Sequence, residues 1–140
     1  HFDKLIRSVL TNDIIGGAFD MTLDNSNWKY RAISWINRIR YRIDGLYFGD
    51  QAFFCYRSAL DQIDGIPERP LMETSYLCQQ LRKVGRLQLI KKKVLTSARR
   101  FELHGFWRVV WFDFRMWIKF LLKKNISPLA PEYWQKNKRL

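Results

Sequence analysis

One apolar run, Ile14–Leu23 (IIGGAFDMTL), constrains the fold of this chain more than any other stretch. Phe19, Met21 and Leu23 alternate with Ala18, Asp20 and Thr22, the period-two pattern of a strand with one face inward. Gly16 and Gly17 lack a Cβ, so the backbone there can bulge or come unusually close to a neighbour. A strand of this kind has to be paired and covered. Hydrophobic residues at 47% and aromatics at 16% are enough to build the single packed domain that would cover it, which argues against disorder.

The flanking sequence supplies helices. Phe2–Leu10 reads as a short amphipathic helix. Asp24-Asn25-Ser26-Asn27 offers several N-caps for a helix ending at Gly45, with Trp28, Ala32, Trp35, Ile36, Ile39 and Ile43 as its expected inward face. Arg31, Arg38 and Arg42 line another face, read as solvated. Gln51–Arg57 (QAFFCYR) reads as a short buried strand, with Ser58 capping a brief helix that stops at Gly65. GIPERP is a loop. A helix over Met72–Val84 follows, with Leu77, Leu81 and Val84 inward and Gly85 as its stop. Arg86–Ala98 alternates as one or two strands. Strand, helix, strand, helix, strand in this order predicts the α/β class, a mixed sheet with flanking helices.

Beyond Gly105 the pattern changes, which divides the chain into residues 1–104 and a basic, aromatic, amphipathic helical segment over 105–140. In FWRVVWFDFRMWIKFLL, Arg108, Arg115 and Lys119 form one stripe on a helix apolar over most of its circumference. A membrane-spanning reading fails, because each of these cations and Asp113 costs roughly 2.5 to 3.5 kcal/mol at a bilayer centre. Two readings stay open: a helix lying in an anionic membrane surface, with Trp107, Trp111 and Trp117 at the headgroup level, or a helix packed on protein. The tail after Pro128, ending QKNKRL, reads as loose.

Charge is lopsided in the same direction. Residues 1–81 hold nine Lys/Arg against ten Asp/Glu, and residues 82–140 hold sixteen against three, so the whole net charge of +12 belongs to the second part. An anionic partner is expected, whether a phospholipid surface, a pyrophosphate or nucleic acid. Cys55 and Cys78 lie in apolar stretches without metal or redox spacing and read as reduced core residues of a cytoplasmic protein.

No GxxxxGKT, HExxH, CxxC or GxSxG motif is present, and of the two histidines, His1 and His104, the second reads as solvated or capping. Catalysis would have to rest on carboxylates. Asp50 stands in a Gly-preceded turn (YFGDQ) at the entry to the expected strand, and Glu73 opens the helix after the Pro-bounded loop. On two loops at neighbouring sheet edges they form a candidate pair.

The run GGAFDMTLDN, followed by a helix and then by GLYFGDQAFFCYRSALDQIDGIPERPLMETSYLCQQLRKVGRLQLIKKKVLTSARRFELHG, resembles the latter half of family 2 glycosyltransferases. The likeness covers about residues 14–105 and rests on an ordered set of motifs: a GDQ turn, a G-I-P-x-x-P-L-M-E loop and a TSARR strand end. It implies the C-terminal, acceptor-side part of a GT-A fold, and inverting transfer of a sugar from a nucleotide-sugar donor to an acceptor hydroxyl; the basic aromatic segment adds the expectation that this takes place at the membrane surface. The resemblance gives Glu73 the first place of the carboxylate pair that supplies the base; the second, normally Asp, is Thr74, which cannot act as a base near neutral pH. It puts Asp50 and Gln51 near the acceptor and the transferred sugar, and Arg99 and Arg100 where they would offset pyrophosphate charge. In the family a nucleotide-binding half and an acidic metal motif precede the stretch matched by HFDKLI. The divalent metal (Mn or Mg) is therefore expected in an intact parent, and these 140 residues alone are expected neither to hold the donor well nor to turn over.

Two other classes remain beside this one. Thr74 fits a non-catalytic membrane-associated or scaffold relative of the enzyme, and the basic, aromatic C-terminal part fits, less well, a nucleic-acid-binding module. The expected location is cytoplasmic, peripheral at the inner membrane face. An exposed sheet edge makes homodimer formation a further expectation.

Overall fold

In the computed structural model, which describes residues 2–11 and 13–137, Ile14–Leu23 is strand β1, the middle of a three-stranded sheet. Its partners are β2 (Phe54–Cys55), antiparallel, and β3 (Arg86–Thr96), parallel, in the order β2-β1-β3. Both properties expected of the glycine pair occur. The register with β3 shifts between Ile14 and Gly16, and the backbones approach so closely that a Cβ on Gly17 would overlap the Gln88 carbonyl oxygen. On the other side a Cβ on Gly16 would sit 2.5 Å from the Phe54 carbonyl oxygen.

The class is α/β, a small mixed sheet flanked by helices. Two compact units make up the chain, His1–Thr96 and Ser97–Leu140. In the first, the sheet is accompanied by α1 (Phe2–Val9), α2 (Trp28–Asp44), α3 (Arg57–Asp61) and α4 (Glu73–Leu81). Ile15, Ala59, Leu77 and Leu81 form a buried core, with Phe53, Cys55, Leu60, Ile63, Val84 and Leu87 packed against it. The second consists of α5 (Arg99–His104), α6 (Phe106–Leu121), a 3-10 turn at Ser127–Leu129 and α7 (Ala130–Asn137). The division falls ahead of Gly105 because α5 is tied to α6, through the Arg100–Asp113 ion pair and the Phe101 and Phe106 rings, whose centroids lie 5.8 Å apart.

Helix α2 begins and ends where its caps dictate. The Asn27 side chain accepts a hydrogen bond from the Lys29 amide (3.3 Å), and Gly45 closes the helix in the left-handed region at φ 64°. Its orientation, however, is the reverse of the one expected from its apolar stripe. Trp28, Trp35, Ile36 and Ile43 are exposed, whereas Tyr30 and Arg40 are buried. The cause lies in the strand. Both faces of β1 are covered, so Asp20 is buried and requires a cation, which Arg38 supplies. Asn37 donates to Met21 Sδ (3.5 Å) and the Tyr41 hydroxyl to the Leu87 carbonyl (3.4 Å), so a polar face of α2 meets the sheet and its apolar stripe turns outward. Replacing Asp20 with Ala removes this anchor, and because Arg38 keeps partial access to water the expected loss is about 2 kcal/mol, read as a lower urea midpoint.

Other elements depart from expectation in smaller ways. The strand expected over Gln51–Arg57 shrinks to Phe54–Cys55, because Gly49–Gln51 forms a 3-10 turn and α3 already starts at Arg57. Ser58 lies inside α3, and Tyr56 occupies the N-cap without a side-chain bond. Arg86–Thr96 is a single strand. The tail expected to be loose contains α7, and Pro128, with its fixed φ, stands in the 3-10 turn that precedes it. His1 and Lys138–Leu140, the end of that tail, lie outside the described residues.

Candidate functional site

The parallel pair β1/β3 runs toward Leu23 and Thr96, and the Asp24 amide donates to the Thr96 carbonyl (3.0 Å) at that end. Open α/β sheets bind ligands outside the carboxyl ends of their parallel strands, which makes this end the place to look for chemistry. The Gly49-Asp50-Gln51 turn is held there by its neighbours. The Thr96 hydroxyl donates to the Asp50 carbonyl (3.1 Å). Gly49 abuts the start of α4, since a Cβ on it would lie 3.2 Å from Thr74 Oγ1.

Gln51 acts as the clamp of this turn. Its Oε1 accepts from the Phe48 amide (2.9 Å), its amide N–H donates to the Phe48 carbonyl (3.2 Å), and Nε2 donates to the Phe19 carbonyl in β1 (3.4 Å). Only 3% of the residue is exposed, so the side chain positions the turn and its polar atoms are used within the fold. Asp50, by contrast, is exposed on the outside of the turn.

Two polar residues that the sequence did not single out support the segment entering the turn. Buried Ser75 donates from Oγ to the Tyr47 carbonyl (3.2 Å), fixing α4 to that segment. Arg40 lies beneath it, donating from Nη2 to the Leu46 carbonyl (3.3 Å) and from Nη1 to Asp44 (3.2 Å), with its guanidinium 3.8 Å from the Phe48 ring centroid. Burial lowers the Arg40 guanidinium below its ordinary value, opposed by the charge of Asp44 and, more weakly, of Asp50. The available signal was the four-residue spacing of Arg40 and Asp44 on one helix. Nothing in the periodicity marked this cation as the buried one.

Glu73 occupies the first turn of α4, exposed, where the helix dipole favours a carboxylate. Met72 precedes it in the left-handed region (φ 55°), a conformation uncommon outside glycine that sets the angle at which α4 begins. The fold thus brings Thr74, the neighbour of Glu73 in α4, against Gly49 of the turn, and the turn against Thr96 at the end of β3.

Arg99 and Arg100 belong to the second unit, at the start of α5. The Arg99 amide donates to Ser97 Oγ (3.3 Å), and its side chain is exposed. Arg100 is committed locally. It makes a two-pronged pair with Asp113, Nη2 to Oδ1 at 2.6 Å and Nη1 to Oδ2 at 3.2 Å, and its guanidinium lies 4.9 Å from the Tyr133 ring centroid. Burial raises the Asp113 carboxyl above its usual range despite the lowering effect of Arg100. His104 is half-buried at the end of α5, with Nε2 lacking a hydrogen-bond partner among the described residues.

Neither cysteine is poised as a nucleophile. Burial pushes the Cys78 thiol up to about 11 and raises that of Cys55 as well, so both stay protonated near neutral pH, and both are free. Among the described residues no group of three His, Cys, Asp or Glu side chains could hold a metal ion. The described residues therefore do not fit the divalent metal that the resemblance implies. No described helix is long and apolar enough to cross a membrane. No protein-family model, curated protein or solved structure matches the chain.

Proposed function

We propose that this chain is the acceptor side of an inverting, nucleotide-sugar-dependent glycosyltransferase of the family 2, GT-A type, with Glu73 as its base. The observation that carries the reading is the approach of the start of α4, where Thr74 follows Glu73, to the Gly49-Asp50-Gln51 turn, itself bonded to Thr96 at the carboxyl end of β3. Glu73 accepts the proton of the acceptor hydroxyl, whose oxygen forms the new bond to the anomeric carbon from the face opposite the leaving group. The bond from that carbon to the nucleoside diphosphate breaks, and its electron pair departs on the phosphate oxygen. Asp50 hydrogen-bonds hydroxyls of the acceptor or the transferred sugar, and Gln51 keeps the turn that presents it in place.

By resemblance Arg99 and Arg100 serve the diphosphate leaving group. Within the second unit Arg100 is tied to Asp113 and Arg99 is exposed. The free, protonated cysteines accord with a reducing, cytoplasmic setting. By the resemblance the donor and the divalent metal would be held by a preceding nucleotide-binding half, so the test uses a parent polypeptide that contains both halves. Its sugar product is expected to have the anomeric configuration inverted relative to the donor, as read by proton NMR, and a retained configuration would exclude this single-displacement chemistry. A second reading, the non-catalytic relative, is favoured by Thr74 in the place of an acid. Donor binding by the parent without acceptor-dependent transfer would select it.

A further inference from the structure

Helix α6 has two apolar faces, and only one of them is covered. Val109, Phe112, Met116 and Phe120 are buried, and the Phe112 ring stacks on Tyr133 of α7 at 6.1 Å. On the opposite side Trp107, Trp111, Phe114, Ile118 and Leu121 recur at alternating steps of four and three residues, which places them in one seam about 20 Å long. Trp107 and Trp111 are 66% and 61% exposed, and Phe114, Leu121 and the adjoining Leu122 are also exposed. Trp111 stacks on Phe114 and Phe114 leans on Trp117, each pair at 6.1 Å, so the rings form a continuous strip.

The charges beside the seam decide what covers it. Arg108 and Arg115 are exposed along one flank, Lys119 is half-buried, and Lys123 and Lys124 are exposed just past the end of the helix. Asp113, the one acid within α6, is held by Arg100. A second copy meeting this seam would set Arg108 and Arg115 against like charges, while the one carboxylate of the helix, Asp113, is already held by Arg100. A surface of anionic headgroups answers them all, while Trp and Phe take the boundary depth that amphipathic rings prefer.

We propose that the outer seam of α6 docks in the plane of a membrane surface bearing anionic phospholipid, the aromatic strip entering the headgroup boundary and the flanking cations pairing with lipid phosphates. The inference rests on α6 alone and is independent of the transfer chemistry above.

Flotation of the 140-residue chain with vesicles tests it, comparing phosphatidylcholine alone with a three-to-one mixture of phosphatidylcholine and phosphatidylglycerol. The chain is expected to partition about tenfold or more in favour of the anionic vesicles. Arg108→Glu combined with Arg115→Glu lowers that partition by about tenfold or more, and Trp111→Ser combined with Phe114→Ser brings it near background. All four positions are exposed, so far-UV circular dichroism should be unchanged in both variants. Equal flotation on both vesicle types, or flotation indifferent to these substitutions, overturns the proposal. So does a dimer in sedimentation velocity that Trp111→Ser with Phe114→Ser dissolves, which assigns the seam to a second copy. Binding to a DNA oligonucleotide that is lost with the same substitutions, without anionic-vesicle binding, assigns it to nucleic acid.

Discussion

Gly17→Ala is expected to abolish cooperative folding of the first unit or to lower its stability by about 3 kcal/mol or more. The added methyl would overlap the Gln88 carbonyl oxygen, with the Gln88 carbonyl carbon and amide nitrogen 3.0 and 3.2 Å away. These are backbone atoms, and no rotamer change moves them aside. Relief requires β1 and β3 to separate, which would undo the parallel pairing from Ile14 to Leu23 that forms most of the sheet. An ordinary alanine in a strand is favoured over glycine, so the sign of the effect is itself diagnostic. A urea transition followed by circular dichroism reads the outcome, and a midpoint equal to wild type would show that the strands do not approach as described.

The same close approach was legible in the sequence as a possibility, since two adjacent glycines inside a strand pattern have few other uses. Helix ends were legible for comparable reasons: Asn27 and Gly45 stop the chain from being helical beyond them, whatever packs on the helix. The facing of α2 was not legible, because Trp28, Trp35, Ile36 and Ile43 carry the stronger periodic signal. The demand of a buried Asp20 for Arg38 outweighs it, and that demand arises only once both faces of β1 are covered. Strand β2 was overestimated for a similar reason: the Gln51 amide is spent on the Phe48 and Phe19 backbone, which curls the chain into a turn where its apolar content suggested extension.

At the site, Asp50 and Glu73 stood out because a glycine turn and a helix start are local features. Their supports did not. Arg40, Ser75 and Thr96 act through backbone carbonyls in other segments, up to 46 residues away for Thr96 and Asp50, and no local pattern encodes such partners. Sequence grouped Arg99 with Arg100, and the structure separates them by their surroundings, since Arg100 grips Asp113 while the Arg99 side chain is exposed.

The central claim is that Glu73 takes the acceptor proton, and replacing it with Gln isolates that step. The amide keeps the size and most of the shape of the side chain and removes its negative charge and with it the ability to accept a proton. Glu73 is exposed at the first turn of α4 and lies outside the core, so folding should be little affected. A positioned base contributes typically about 10²–10⁴ in rate, and Thr74 offers no substitute carboxylate beside it. The decisive measurement is single-turnover transfer of labelled sugar by the parent polypeptide, wild type against Glu73→Gln, with donor affinity measured alongside. The account predicts a rate lower by about 10²–10⁴ with donor affinity unchanged. Transfer by Glu73→Gln at the wild-type rate would contradict it.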